Sequence, residues 1–202
     1  MNLPFLASFI IFILILSRII ARQNRRKKSL EQSFWEREQQ ANSVRRKSLD
    51  NLDYVKIPFD SLPSDILKED STVAECLELL NTLASQPIVN LTGYSNTDLK
   101  LEYGTANITA LSAYDQNYTL LVRTLQKWAD ILWDSGYQAE AVTIMEFAVT
   151  THTDISRTYY KLAEYYASRN ENEKIQALLE TAKNLHSASQ RVIVRTLQES
   201  YL

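Results

Sequence analysis

The chain has 202 residues, a formal net charge of −2, three glycines and one cysteine. One cysteine excludes an intrachain disulfide, and three glycines are too few for most nucleotide-binding loops. The net charge hides an asymmetry. Between Arg18 and Lys47 there are ten Lys or Arg and three Glu, whereas residues 48–202 contain twelve basic and twenty-one acidic residues, a net charge of −9.

The first segment, residues 3–21, is an apolar run whose only charged residue is Arg18. As a helix it would extend roughly 28 Å, close to the hydrocarbon thickness of a bilayer, about 30 Å. A cleaved signal peptide is the first alternative, but it needs a basic region before the core and a small-residue cleavage site after it. A buried core helix is the second alternative. The pattern favours a retained transmembrane anchor that spans residues 3–21.

The basic residues that follow the anchor predict its orientation. The positive-inside rule places residues 22–202 in the cytosol and the N-terminus outside, in a single-pass protein of the cell (inner) membrane. Anionic lipid is the polyanion nearest to these cations, so we expect lipid contact and no nucleic acid. Three Asn-x-Thr sequons begin at Asn90, Asn107 and Asn117, and the charge rule argues against their glycosylation. The predicted lipid-contacting residues are Arg22, Arg25, Arg26, Lys27 and Lys28.

The rest of the chain predicts an all-α fold in three parts. Residues 22–50 form a basic helical stalk, residues 51–64 an extended linker with two prolines, and residues 65–202 a helical domain. Its first helix follows a capping box at Thr72–Glu75. Residues 88–114 are the least regular segment, with a possible short extended piece at 99–103, and predict either a packed wrap or a functional surface.

From about residue 120 to 187 the sequence repeats itself at a spacing of 34. The equivalent pairs are Ala129 and Ala163, Ala148 and Ala182, Trp128 and Leu162, Leu132 and Tyr166, Met145 and Leu179, and Gly136 and Asn170. This pattern resembles the tetratricopeptide repeat (TPR), a 34-residue helix–turn–helix unit. The proline that usually ends a unit is absent, since Thr153 and Ser187 stand there. The order of anchor, basic stalk, 91–99 segment and repeat also resembles bacterial single-span membrane proteins, a resemblance that implies no activity.

The TPR resemblance implies a groove, lined by the first helix of each unit, in which a partner protein lies. Carried over to this chain, the groove residues are Arg123, Gln126, Asp130, Trp133, Arg157, Tyr160 and Glu164. Arg and aromatic residues are common energetic anchors of interfaces. The alternative for Trp133 and Tyr160 is packing against neighbouring helices. Lys and Asn, which the family's carboxylate-binding grooves require, are missing here, which argues against recognition of chaperone tails.

No motif for catalysis, a cofactor or a metal is present, so the sequence predicts no catalytic residue, no cofactor, no metal site and no enzyme. His152 and His186 each end a predicted second helix, where a cation complements the helix dipole. We expect a membrane-anchored protein-interaction module, a scaffold or adaptor, whose protein partner and oligomeric state the sequence does not identify. The alternatives are an accessory or assembly subunit of a membrane complex and, remotely, a membrane-bound enzyme using the 88–114 loop.

Overall fold

The computed structural model describes the backbone of residues 3–201; residues 1, 2 and 202 and the side chains of residues 3–11, 14, 26, 29 and 30 lie outside the described set. The described chain is helical, and its strand-like pairing is limited to an isolated antiparallel bridge between Tyr54 and Val89. The predicted all-α fold is therefore confirmed. The chain forms two compact units, Met1–Lys47 with Ser95–Ile108, and Ser48–Tyr94 with Thr109–Leu202.

Helix α1 runs without a break from Leu3 to Ser43, so the predicted stalk is helical as far as Ser43. Within the described part of the chain, no helix combines the length and the apolar character needed to cross a membrane. The predicted anchor at 3–21 falls in large part on side chains outside the described set.

In the first unit, the end of α1 packs against the short helix α3, Asn96–Tyr103. Arg37 of α1 pairs with Asp98 at 2.5 Å, and Glu38 pairs with Lys100. The hydrogen bond from Lys100, followed by that from Thr97, lowers the pKa of the Glu38 carboxyl. Hydrogen bonds from the side chain and backbone of Ser95 lower the pKa of Asp98. Ionised carboxylates therefore hold these two helices together.

The chain leaves α3 through a tight turn that also holds the end of α1. Gly104 has φ +88°, and a Cβ there would lie 2.7 Å from the carbonyl carbon of Arg45. The buried side chain of Asn107 donates from Nδ2 to the carbonyls of Lys47 and Tyr103, each at 2.8 Å. Its Oδ1 accepts from Arg46 Nε at 3.0 Å. Only glycine fits this close backbone approach.

Helix α3 corrects one expectation. The alternation of Leu99, Leu101 and Tyr103 predicted an extended piece, and the segment is helical. The reason is local: the side chain of Ser95 accepts from Asp98 N, and Asp98 in turn accepts from Ser95 N, a capping box that starts a helix. Of the three alternating residues, only Leu99 is buried in this helix.

The second unit is built from six helices within its described residues. They are α2, Ser71–Ala84; α4, Ile108–Asp134; α5, Gln138–Thr150; α6, Ser156–Ser168; α7, Asn172–Lys183; and α8, Gln190–Ser200. Short 3-10 turns stand at Phe59–Ser61 in this unit and Thr105–Asn107 in the first unit. Fully buried side chains such as Trp128, Tyr159, Leu121 and Leu80 form one core between the helices.

The turn between α4 and α5 and the turn between α6 and α7 have matching bounds, although α4 is much longer than α6. The first helices end at Asp134 and Ser168, and the second begin at Gln138 and Asn172, so both boundaries recur after 34 residues. The turns also match, since Gly136 has φ +88° and Asn170 has φ +59°. Glycine and asparagine tolerate this left-handed conformation best, which explains why they stand there.

The capping of α2 differs from the prediction. Asp70, and not Thr72, is the N-cap: its carboxylate accepts from the backbone N–H groups of Thr72 and Val73 at 2.9 and 3.0 Å. Both residue types cap helices well, and the carboxylate also complements the positive end of the dipole. Upstream, the predicted linker, residues 51–64, is held against the core because Val55 N donates to the carbonyl of Ile88 at 2.9 Å.

Candidate functional site

The predicted groove residues lie on two adjacent helices of the second unit. Arg123, Gln126, Asp130 and Trp133 are spaced by three or four residues on α4, which places them along one face. The residues of α6 meet this face through Thr158, whose hydroxyl donates to Gln126 Oε1 at 2.5 Å. We call this surface, defined by the seven predicted residues together with Thr158, Lys161 and Tyr165, the α4–α6 face.

Asp130 is the centre of a polar network on the α4–α6 face. Its Oδ1 accepts from Lys161 Nζ at 2.8 Å and from Gln126 Nε2 at 3.0 Å, and Arg157 Nε lies 3.1 Å from the same oxygen. Lys161 is 14% exposed and Asp130 23%, whereas the Arg157 side chain is 58% exposed. Exposed ion pairs contribute little to stability, so Lys161 forms the structural pair and Arg157 remains accessible.

The two predicted aromatic residues are half-buried and pack against the core. The Trp133 ring meets Tyr165 edge-on with centroids 6.1 Å apart, and Lys161 Nζ lies 5.0 Å from the Trp133 ring centroid. Tyr160 lies near Tyr201, whose pKa is raised by burial first and by the nearby Glu164 second. Both rings therefore have a packing role, while part of each remains at the surface.

Two predicted charges are more open. Arg123 on α4 and Glu164 on α6 are exposed, and neither has an ion-pair partner among the described side chains. The sequence reasoning missed Lys161, which anchors the network. Its signal was present in the sequence: Lys161 stands four residues after Arg157 and therefore on the same helix face.

The histidines lie near the helix ends where the sequence placed them. His152 and His186 follow the ends of α5 and α7 in the chain, yet both line one cavity of the second unit. His152 adopts φ +60°, a left-handed conformation uncommon for residues other than glycine. Within the described residues no group of three His, Cys, Asp or Glu is arranged to hold a metal ion.

The predicted lipid-contacting residues lie on α1. Arg22, Arg25, Lys27 and Lys28 are exposed, and the side chain of Arg26 lies outside the described set.

The three sequon asparagines each use their side-chain amide internally. Asn90 donates to Thr151 O at 3.1 Å, Asn117 donates to Pro87 O at 2.9 Å, and Asn107 is held in the turn of the first unit.

A scan against models of protein families, a search of curated proteins and a search of solved structures each gave no match to this chain.

Proposed function

We propose that this chain is a membrane-anchored scaffold or adaptor, in which residues 3–21 form the anchor and the α4–α6 face of a TPR-like domain receives a protein partner in the cytosol. One observation carries the proposal: the Asp130 network holds the polar groups of two helices in a defined arrangement. A surface whose side chains are already ordered loses less conformational entropy on binding.

The charge of the α4–α6 face supports an acidic partner segment. Arg123, Arg157 and Lys161 outnumber Asp130 and Glu164, which gives this face a net charge of +1 within a chain segment, 48–202, of net charge −9. A locally positive surface on an acidic domain attracts acidic segments and repels basic ones. The exposed guanidinium of Arg157 can bind a carboxylate through two parallel hydrogen bonds.

The repeated hairpins support the TPR-like assignment. The helix ends that flank the two turns recur after 34 residues, and each turn has a residue with positive φ, as a stack of helix–turn–helix units requires. The anchor is supported by the sequence, through the apolar run 3–21 and the basic residues after it. Tethering would raise the local concentration of a bound partner at the membrane, which suffices as a mechanism for an adaptor.

The first experiment tests the face. Partners are crosslinked and recovered from native membranes with the wild-type chain and with the double variant Arg123→Ala/Arg157→Ala, which removes two exposed cations. Lys68→Ala/Lys183→Ala is the matched control, because it removes the same charge from exposed positions outside the face. We expect recovery to fall at least tenfold in the first variant alone, with unchanged helicity. Equal recovery from both double variants would refute the role of the α4–α6 face.

The second experiment tests the anchor and its orientation. Replacing residues 3–21 by an unrelated membrane span should leave partner recovery intact, since the proposed contacts lie on α4 and α6. Loss of recovery would favour an accessory subunit that binds through its span. Protease added outside spheroplasts should leave residues 22–202 intact, and their digestion would contradict the proposed orientation.

A further inference from the structure

The second unit contains a cavity of about 460 Å³, within the range of about 300–1,000 Å³ typical of small-molecule sites. Four separate stretches of the chain line it: 53–56 of the linker, 90–94, the end of α5 with the residues up to 154, and 184–187 after α7. No residue that lines the cavity belongs to the α4–α6 face, because the cavity lies at the C-terminal ends of α5 and α7.

The walls of this cavity are held by hydrogen bonds and close packing. Asn90 Nδ2 donates to the carbonyls of Thr151 and His152 at 3.1 and 3.3 Å, and its Oδ1 accepts from Thr92 N at 3.0 Å. Gly93 has φ +94°, and a Cβ there would lie 2.7 Å from both Cβ and O of His186. The stretch 90–94 is thereby fixed against both helix ends, so the cavity needs little reorganisation to bind a ligand.

Several polar side chains of the lining have no protein partner within the described part of the chain, and most of them belong to residues exposed to solvent. Among the described residues, no hydrogen bond or ion pair is formed by the side chains of Asp53, Lys56, His152, Asp154 and His186. The hydroxyl of Ser187 is buried and also has no partner. Leaving a buried hydroxyl unpaired costs about 1–3 kcal/mol, and such a group in a native structure calls for an explanation.

The two signs of charge in the cavity define the ligand class. Asp53 and Asp154 can accept hydrogen bonds from an ammonium group, and the carbonyl-bearing ends of α5 and α7 favour positive charge in the same region. Lys56 and the two imidazoles can donate to a carboxylate. The two carboxylates would repel a simple anion, and a neutral sugar would leave the charged side chains without a partner of opposite charge. A ligand with both charges pairs with both sets.

We propose that this cavity binds a small zwitterion that carries an ammonium and a carboxylate group, of the class of free α-amino acids and dipeptides. Tyr94 and Phe147, which also line the cavity, provide the apolar surface that a side chain of such a ligand would contact. The binding site is independent of the α4–α6 face, so the cavity gives the proposed adaptor a second, small-molecule input.

The probes are the twenty L-amino acids and alanyl-alanine, each beside its N-acetylated and its C-amidated form, added to the full chain in detergent. A ligand that binds only the folded state raises the melting temperature with its concentration, and calorimetry then gives the affinity. We expect at least one zwitterion to bind, and to lose at least tenfold in affinity when either charge is blocked. No binding of any zwitterion at millimolar concentration, or equal binding of the blocked forms, would overturn the proposal.

Variants then test the site. Asp154→Asn and Lys56→Gln each remove one charge with little change of shape, and each should weaken binding at least tenfold. Asp65→Asn and Lys68→Gln make the same changes at exposed positions outside the cavity and should not alter the affinity. Ser187→Ala should weaken binding while the melting temperature without ligand stays the same or rises, because an unpaired hydroxyl is removed. Unchanged affinity in all three cavity variants would place the ligand elsewhere and refute the site.

Discussion

Gly104 and Gly136 form a matched pair, because both have φ +88° but only one is closely packed. Changing either to alanine places a residue with a Cβ at positive φ, at roughly 1–3 kcal/mol, and Gly104, with ψ 149°, lies in a region that essentially only glycine adopts. At Gly136 nothing lies within 4 Å of the added Cβ, so the cost ends there. At Gly104 the Cβ would overlap the backbone of Arg45 and lie 2.9 Å from Arg46 N, and backbone atoms cannot rotate away.

Relief of that overlap requires residues 45–47 to move away from the turn after α3. The move breaks three hydrogen bonds: Lys47 N to Tyr103 O, Asn107 Nδ2 to Lys47 O, and Arg46 Nε to Asn107 Oδ1. At a net value of about 0.5–1.5 kcal/mol each, their loss adds roughly 1.5–4.5 kcal/mol to the common cost. We therefore expect Gly104→Ala to destabilise the protein more than Gly136→Ala, by roughly 1.5–4.5 kcal/mol.

Hydrogen exchange read by mass spectrometry separates the two variants. In Gly104→Ala, peptides covering 96–107 and the end of α1 should exchange much faster than in the wild-type protein, while peptides of α5–α7 stay unchanged. In Gly136→Ala, the change should be small and confined to the α4–α5 turn. Equal protection of 96–107 in Gly104→Ala and the wild type would refute the argument from backbone packing.

Three further predictions follow from buried or paired groups. Asn107→Ala should lower the protection of the same peptides by about 1–3 kcal/mol, while Asn96→Ala at an exposed site in α3 should not; equal effects would contradict the role of the amide. Burial raises the pKa of the Cys76 thiol and covers it, so iodoacetamide at pH 8 should label the native chain much more slowly than the unfolded chain, and rapid native labelling would show that the thiol is accessible. The pKa values of Glu38 and Asp98 are lowered from 4.5 and 3.8, so their stabilisation of the α1–α3 contact is complete above these values and is lost as the pH falls through the lower folded-state values. An acid titration of the α3 amide resonances should show this loss, and the loss should be smaller in Glu38→Gln. Identical titrations of the variant and the wild type would count against the role of Glu38.

Apolar periodicity predicted the helices of the second unit, whose buried residues recur at helical spacing and form one core, but the start of α4, residues 108–114, lies in the segment predicted to be irregular. Helix α3 was missed because it has eight residues, too few for periodicity, and its start depends on the Ser95–Asp98 capping box. The groove residues were predicted from the resemblance to the TPR, but the pairing of Asp130 with Lys161 depends on how the side chains of α4 and α6 pack, which the resemblance does not give.

The cavity was missed for a related reason. His152 and His186 are 34 residues apart, and the sequence reasoning assigned each to its own helix end. Helices α5 and α7 both pack against α6, and the residues that follow these two helices, His152 and His186 among them, line one cavity. The stretch 90–94 completes the wall, and no local pattern in the sequence links it to these helix ends.

The contact between α1 and α3 also determines the order in which the protein can be completed during synthesis. Arg37 and Asp98 are 61 residues apart, and Glu38 and Lys100 are 62 apart. At about 5–20 residues per second, a ribosome needs roughly 3–12 s to add the residues that α1 requires as partners. Throughout that interval the end of α1 has been made but has nothing in its own unit to pack against, so any factor that handles the nascent chain meets this helix with Ala41 and its neighbours uncovered.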